Sequence, residues 1–352
     1  MSEKRLNSIQ IIRALAFIAI FLSHVELTST GAVGVSIFFV LSGFCLIYTY
    51  YPRQDFELGG GITGDISFAV KKIKKIYPLH LITLLAVAAM ILLSNIVHSN
   101  FDWNQIGYFL SNIFLVQSWL PFSEGYFSFN AVSWYLSNAL FLYFMFPRFL
   151  RIIRKNKVRA MQITTASVVL QLLIAVLLFK SPDVWFSENI TKWITYICPL
   201  YRVGDFLVGC MTGYMFLKRK DRLDSKVSTI IEAAILIIVV YQIYIYTKYD
   251  FWQAYKFDLF WIPISTVFIF VFASCNGWIS KTFSRNRILI LIGDVSAQSF
   301  LIHKIVIEFC KLFMSNKVVL TMISFIGTLI CSVIYLKIEY FIMCKIKVTD
   351  ER

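Results

Sequence analysis

The sequence predicts an all-α integral membrane protein: a polytopic bundle of about ten transmembrane helices with both termini cytoplasmic. Three observations carry that expectation. Hydrophobic residues make up 58% of the 352 residues and charged residues only 15%, whereas soluble chains are typically about half apolar and a quarter charged. The apolar residues fall in long runs, and a helix needs about 20 of them to cross a hydrocarbon core of roughly 30 Å. Lysines and arginines sit between the runs with a strong asymmetry. Assigning successive loops to opposite sides puts 24 on the side of the N-terminus and 5 on the other, the bias that sets orientation in a membrane.

Taken in order, the spans are expected near 9–28, 31–51, 76–96, 130–147, 160–179, 196–217, 227–247, 257–275, 287–312 and 317–341. Helices are the expected form, because lipid offers backbone groups no partners. The first apolar run lacks a small-residue cleavage site and contains Arg13 and His24, so it reads as a retained helix rather than a signal peptide. Gly59 to Gly61 and Gly64 mark a flexible cytoplasmic loop before the third span. The stretch from Ile106 to Leu120 is apolar but short and reads as interfacial or re-entrant. Trp103, Trp119, Trp134, Trp185, Trp193, Trp252 and Trp261 fall near the predicted outer boundary, where interfacial indoles concentrate. The whole, residues 1–352, is expected to be a single transmembrane domain.

The net charge of +14 is not a nucleic-acid signal, since the basic residues form no surface interleaved with aromatics. The seven cysteines make no CxxC or metal-type cluster, so no metal is expected.

Ionisable groups inside spans are costly and are functional candidates by default. Arg13 and His24 are eleven residues apart. At about 100° per residue they return to within roughly 20° of one face, about 16 Å apart along the axis. A guanidinium near the cytoplasmic end can hold phosphates in bidentate fashion, and a neutral imidazole deeper in can take a proton from a hydroxyl. An arginine held by headgroups and a histidine bonded to a backbone carbonyl would give the same spacing. His303 stands in the ninth span at a similar depth, with Lys304 and Glu308 spaced to pair. Arg202 and Asp205 can meet at i,i+3, and that pair reads as structural before catalytic. Asp294 precedes the polar stretch Ser296, Gln298 and Ser299. His80 is expected in the interface at a span entry, and His98 near an outer span end.

Several stretches, in order, resemble the acyltransferase-3 family of membrane O-acyltransferases. Arg13 and His24 have its arginine–ten residues–histidine spacing. Gly31 to Phe44, with Phe38-Phe39-Val40-Leu41-Ser42-Gly43, is similar to its glycine-rich turn and Phe-Phe-x-Leu-Ser-Gly motif. Lys74-Lys75-Ile76-Tyr77-Pro78, Ser133-Trp134-Tyr135-Leu136-Ser137, Pro199 to Gly209 and Gly293-Asp294-Val295-Ser296 through His303 complete the series. The chain departs from the pattern where many members have tyrosines, at Ala297 and Phe300. It departs again at Asn138 and Asp205, where glutamate is common.

The resemblance implies transfer of an acyl group, usually acetyl from cytoplasmic acetyl-CoA as co-substrate, to a hydroxyl of a cell-surface polysaccharide or its lipid-linked precursor. The place implied is the cytoplasmic membrane of a bacterium, without the extracellular esterase-like domain of some relatives. It assigns His24 and His303 to catalysis and Arg13, Lys74 and Lys75 to the donor. Ser42, Trp134, Arg202, Asp205, Asp294 and Ser296 become supporting residues. Direct attack on the thioester and a relay through acyl-histidine both stay open. So do a transporter of a small or lipid-linked solute and a non-catalytic scaffold of polysaccharide assembly.

Overall fold

A computed structural model describes residues 6–53, 61–99, 102–180, 187–219, 223–249 and 253–350, the side chains of 253, 254 and 346–350 excepted. Everything regular among them is helical. The principal helices are α1 (Asn7–His24), α2 (Gly31–Tyr50), α3 (Gly61–Ile73), α4 (Tyr77–His98), α5 (Asn104–Ile113), α6 (Trp134–Lys155) and α7 (Lys157–Lys180). They continue with α8 (Val203–Lys218), α9 (Ser225–Lys248), α10 (Ile262–Ser274), α11 (Arg287–Asp294), α12 (Ser296–Lys311) and α13 (Lys317–Asp350).

Among the described residues seven helices are long and apolar enough to cross a membrane: α1, α2, α4, α6 with its preceding turn, α7, α9 and α13. The pair α11 and α12, bent by 78°, makes an eighth if it is one span. The expected sixth and eighth spans are shorter, at 16 and 13 residues for α8 and α10. The described helices thus give seven or eight of the ten expected spans, and the three expected spans that differ each hold buried polar groups. The sixth begins as a π turn at Trp193–Ile197 and enters α8 only after Arg202. Asp258 and Pro263 delay the start of the eighth. The ninth breaks at Val295, where the Ser296 hydroxyl donates to the Gly293 carbonyl at 2.8 Å.

Burial separates centre from rim. The apolar window of α2 is 72% buried and that of α1 50%, against 17% for α4, α7 and α9. The central pair is a hairpin closed by a short turn, with Thr30 Oγ1 donating to the Ala19 carbonyl at 3.0 Å. Behind it, α2 and α8 pack backbone to backbone. A Cβ on Gly43 would overlap the Phe206 carbonyl, and one on Gly209 would overlap the Val40 carbonyl. Glycine at these two places of the motif stretches is thus a condition of the helix contact.

The expected loop at Gly59 to Gly64 is corrected in part. Gly59 and Gly60 lie outside the described residues, but Gly61 and Gly64 belong to α3. That helix is amphipathic. Phe68, Ala69 and Ile73 are buried, and Asp65, 1% exposed, takes Arg148 at 2.8 Å and Arg151 at 3.2 Å. Tertiary ion pairing and packing against α6 override the glycine signal. The Ile106 to Leu120 stretch folds as α5 and a 3-10 turn, with Asn112, Gln117 and Ser118 fully buried. The tryptophans divide: Trp103 is 79% exposed, but Trp134 and Trp261 belong to the core. Trp185 and Trp252 lie outside the described residues.

Candidate active site

The α1–α2 hairpin places His24 in the last turn of α1, and the bend at Val295 aims α12 so that His303 meets it. His24 Nδ1 is 3.3 Å from His303 Nε2, with ring centroids 4.9 Å apart. His24 Nδ1 also lies 2.9 Å from the Ile20 carbonyl. His303 Nδ1 lies 2.8 Å from the Phe300 carbonyl and 3.1 Å from that of Ser299. A carbonyl only accepts, so each Nδ1 carries its hydrogen. The His24 Nδ1–H is then shared between Ile20 O and the His303 Nε2 lone pair. What remains is the His24 Nε2 lone pair, which has no partner among the described residues. His303 is fully buried among the rings of Phe17, Phe21 and Phe300, whereas His24 is part-buried.

His24 lines a chamber of about 920 Å³. Trp134, Phe127, Tyr196, Tyr246 and Phe257 give it aromatic walls, and Lys192, Lys248, Lys256, Glu26 and Glu188 supply charge. A second chamber, about 460 Å³, contains Arg13, Ser42, Lys72, Lys75, Tyr143, Asp294 and Ser296. Arg13 and His24 therefore open into different chambers from one continuous helix, about 16 Å apart along its axis. Arg13 Nη2 contacts Cys45 Sγ at 3.7 Å, and Ser42 Oγ lies 3.4 Å from the Tyr143 hydroxyl. Lys74 is exposed and outside this lining, where Lys72 stands instead. The two lysines face differently because α3 ends between them, at Ile73.

Arg202 and Asp205 form the expected pair at 2.7 Å with both side chains fully buried. Asp258 joins them, bonded to the same Arg202 Nη1. Gln171 Nε2 donates to Asp205 and to Asp258, each at 3.0 Å, and to the Tyr201 carbonyl at 2.7 Å. The guanidinium lies between the rings of Phe39 and Tyr196. One cation between two carboxylates thus joins α2, α7, α8 and the approach to α10, and it fixes Tyr196 on the histidine chamber. Asp258, as an acid inside an apolar run, carried a sequence signal that spacing rules did not use. Asn138 Nδ2 donates to Ile197 O at 2.8 Å and to Ser118 Oγ at 3.2 Å, tying α6 to the π turn.

His80 is not interfacial: it is fully buried, with Nε2 donating to the Asn112 carbonyl at 2.9 Å. The short α5 covers it, which no local pattern announces. His98 Nδ1 bonds Ser94 O at 2.8 Å on an exposed turn, a local partner for a span-end residue. Lys304 and Glu308 pair at 2.6 Å.

Several apolar helices around a buried polar centre define a multi-pass membrane protein, and His24, its Nε2 without a partner among the described residues, lines a chamber wide enough for a substrate. The family model described as an acyltransferase domain matches residues 6–337. The chain belongs to the acyltransferase-3 family. It is similar to "Acyltransferase MdmB" of Streptomyces mycarofaciens, 31% identical over 173 residues, which is 44% of this chain and 42% of the relative. The match thus spans about two fifths of that relative's length. No solved structure matches the chain significantly.

Proposed function

We propose that this protein is a membrane O-acyltransferase that moves acetyl from cytoplasmic acetyl-CoA to a hydroxyl of a surface polysaccharide or its lipid-linked precursor. The single observation that carries the reading is the His24 ring on the lining of the larger chamber, held through Nδ1 with no partner on Nε2 among the described residues. The donor's phosphates bind at Arg13, Lys72 and Lys75, with Lys74 near the entrance. Its thiol arm extends toward His24. The acceptor sugar lies against the aromatic walls of the other chamber, since flat rings suit the apolar faces of sugars.

His24 Nε2 takes the proton of the acceptor hydroxyl. The oxygen bonds the thioester carbon, the carbon–sulfur bond breaks, and the thiolate recovers the proton from the imidazolium. His303 Nε2 and the Ile20 carbonyl both accept from Nδ1–H, so they stabilise the charge that His24 acquires. General base catalysis of this kind contributes about 10²–10⁴-fold. Ten spans with both termini cytoplasmic, in the cytoplasmic membrane of a bacterium, put the arginine chamber on the donor's side.

A transporter is favoured by one feature, two chambers that open separately. Vesicles distinguish the readings. Purified protein in proteoliposomes with radiolabelled acetyl-CoA and glycan should yield a base-labile ester, and His24→Ala should lose it by at least 10²-fold. An inserted, folded His24→Ala protein that acetylates at the normal rate refutes the assignment. Solute flux without covalent change replaces it with transport.

A further inference from the structure

Among the described residues, Phe300 is the one side chain that lines both chambers. It sits near the start of α12, five residues after the bend at Val295. On the arginine side its ring packs against Tyr135 at 5.4 Å and Phe38 at 6.1 Å, edge to face, and those two rings line that chamber. On the other side it stands 5.9 Å from the His303 ring. Arg13, Lys72 and Lys75 line the chamber on one side of this residue, and His24 lines the chamber on the other.

We propose that Phe300 is the movable partition between the chambers, and that its bulk sets the largest acyl group that reaches His24. The ring has no polar atom, so apolar packing alone holds it, and a rotamer change opens the passage without stranding a hydrogen bond. Phe38 on α2 and Tyr135 on α6, both half-buried against the same core cluster, form the other side of the opening. Its place between Arg13 and the histidine pair makes it a selector. A short acyl group passes under the turned ring, and a longer one collides with it. The size-selecting role rests on the acyl-transfer reading; the partition itself does not.

The experiment uses full-length protein with its seven cysteines replaced and a single reporter, Ala297→Cys, in the arginine chamber. A membrane-impermeant thiol reagent is added to sealed vesicles from the side onto which the histidine chamber opens. An Ala131→Cys reporter in that chamber serves as the control and labels in every folded variant. With Phe300 or Phe300→Tyr, Ala297→Cys labels slowly. Phe300→Ala and the milder Phe300→Leu raise its rate at least tenfold. Equal rates in all four, with the control labelling normally, overturn the partition. In the second arm acetyl-, butyryl- and hexanoyl-CoA compete. Phe300→Ala and Phe300→Leu raise the hexanoyl-to-acetyl transfer ratio about tenfold, the scale at which one hydrophobic pocket discriminates by a few methylenes, and Phe300→Trp lowers it. An unchanged ratio overturns the selecting role. Labelling that opens as expected in a protein that transfers no acyl group at all supports the partition and refutes the acyltransferase reading.

Discussion

Replacing His303 by leucine separates the two histidines by function. The substitution removes the Nε2 acceptor that lies 3.3 Å from His24 Nδ1 and leaves Ile20 O at 2.9 Å. The remaining carbonyl still holds the hydrogen on Nδ1, so the tautomer that exposes the Nε2 lone pair survives. Packing survives too, because leucine among Phe17, Phe21 and Phe300 is apolar among apolar rings. What is lost is one hydrogen bond whose worth changes during the reaction. Bonds between neutral groups contribute about 0.5–1.5 kcal/mol and those to charged groups about 1.5–3. The difference, about 1–1.5 kcal/mol, falls on the step that charges His24 and lowers kcat about tenfold, with KM for the donor unchanged. His303→Gln restores an acceptor oxygen and should recover part of the loss. The assay is transfer from labelled acetyl-CoA in proteoliposomes, with insertion verified by monodisperse elution. If His303→Leu is as inactive as His24→Ala, within about threefold, His303 handles a substrate proton itself and its role as a buttress is refuted.

Two further outcomes test the frame. Gly209→Ala should lower stability by about 1–3 kcal/mol, the scale of overpacking, because a Cβ there overlaps the Val40 carbonyl; Gly107→Ala, which meets nothing within 4 Å, is the unclashed control and should be neutral to slightly stabilising. Unfolding in detergent measures both, and equal midpoints would sink the close-contact account of α2 and α8. Arg202→Met leaves Asp205 and Asp258 buried without their cation and should cost about 3–5 kcal/mol. Asp258→Asn keeps one ion pair and should cost less, with the ranking read from the same melts and reversed if the arginine is dispensable.

The spans were legible because lipid imposes a length and a composition on any helix that crosses it, and α1, α2, α4, α7, α9 and α13 follow that rule closely. The rule fails where a span carries polar groups that find partners inside the protein. Asp258 and Arg202 shorten α10 and α8, and Ser296 accompanies the break between α11 and α12. The face shared by Arg13 and His24 is an expectation of helix geometry alone; the similar depth expected of His24 and His303 agrees with their 3.3 Å contact. Contact between the rings needs the 78° bend, which no period in the sequence encodes. Lys72 and Lys74 differ by less than one turn in sequence, so which of them faces a chamber depends on where α3 ends. The burial of His80 and the division of the tryptophans depend on distant segments folding over them, as α5 does.

The α1–α2 hairpin has a consequence for biogenesis. An arginine within a membrane span is disfavoured by up to about 2.5–3.5 kcal/mol, the figure for the centre on insertion scales, and α1 carries Arg13 in the N-terminal half of its 18 residues. Only a short turn separates it from α2, a helix without a charged side chain. Thr30 is bonded back to Ala19, and Gly34 lets the backbones approach beside Ala16. The second helix can therefore carry the first out of the translocon as one preassembled pair. Lengthening the 25–30 turn would leave α1 to partition alone, so the shortness of that turn matters at insertion, before any site exists.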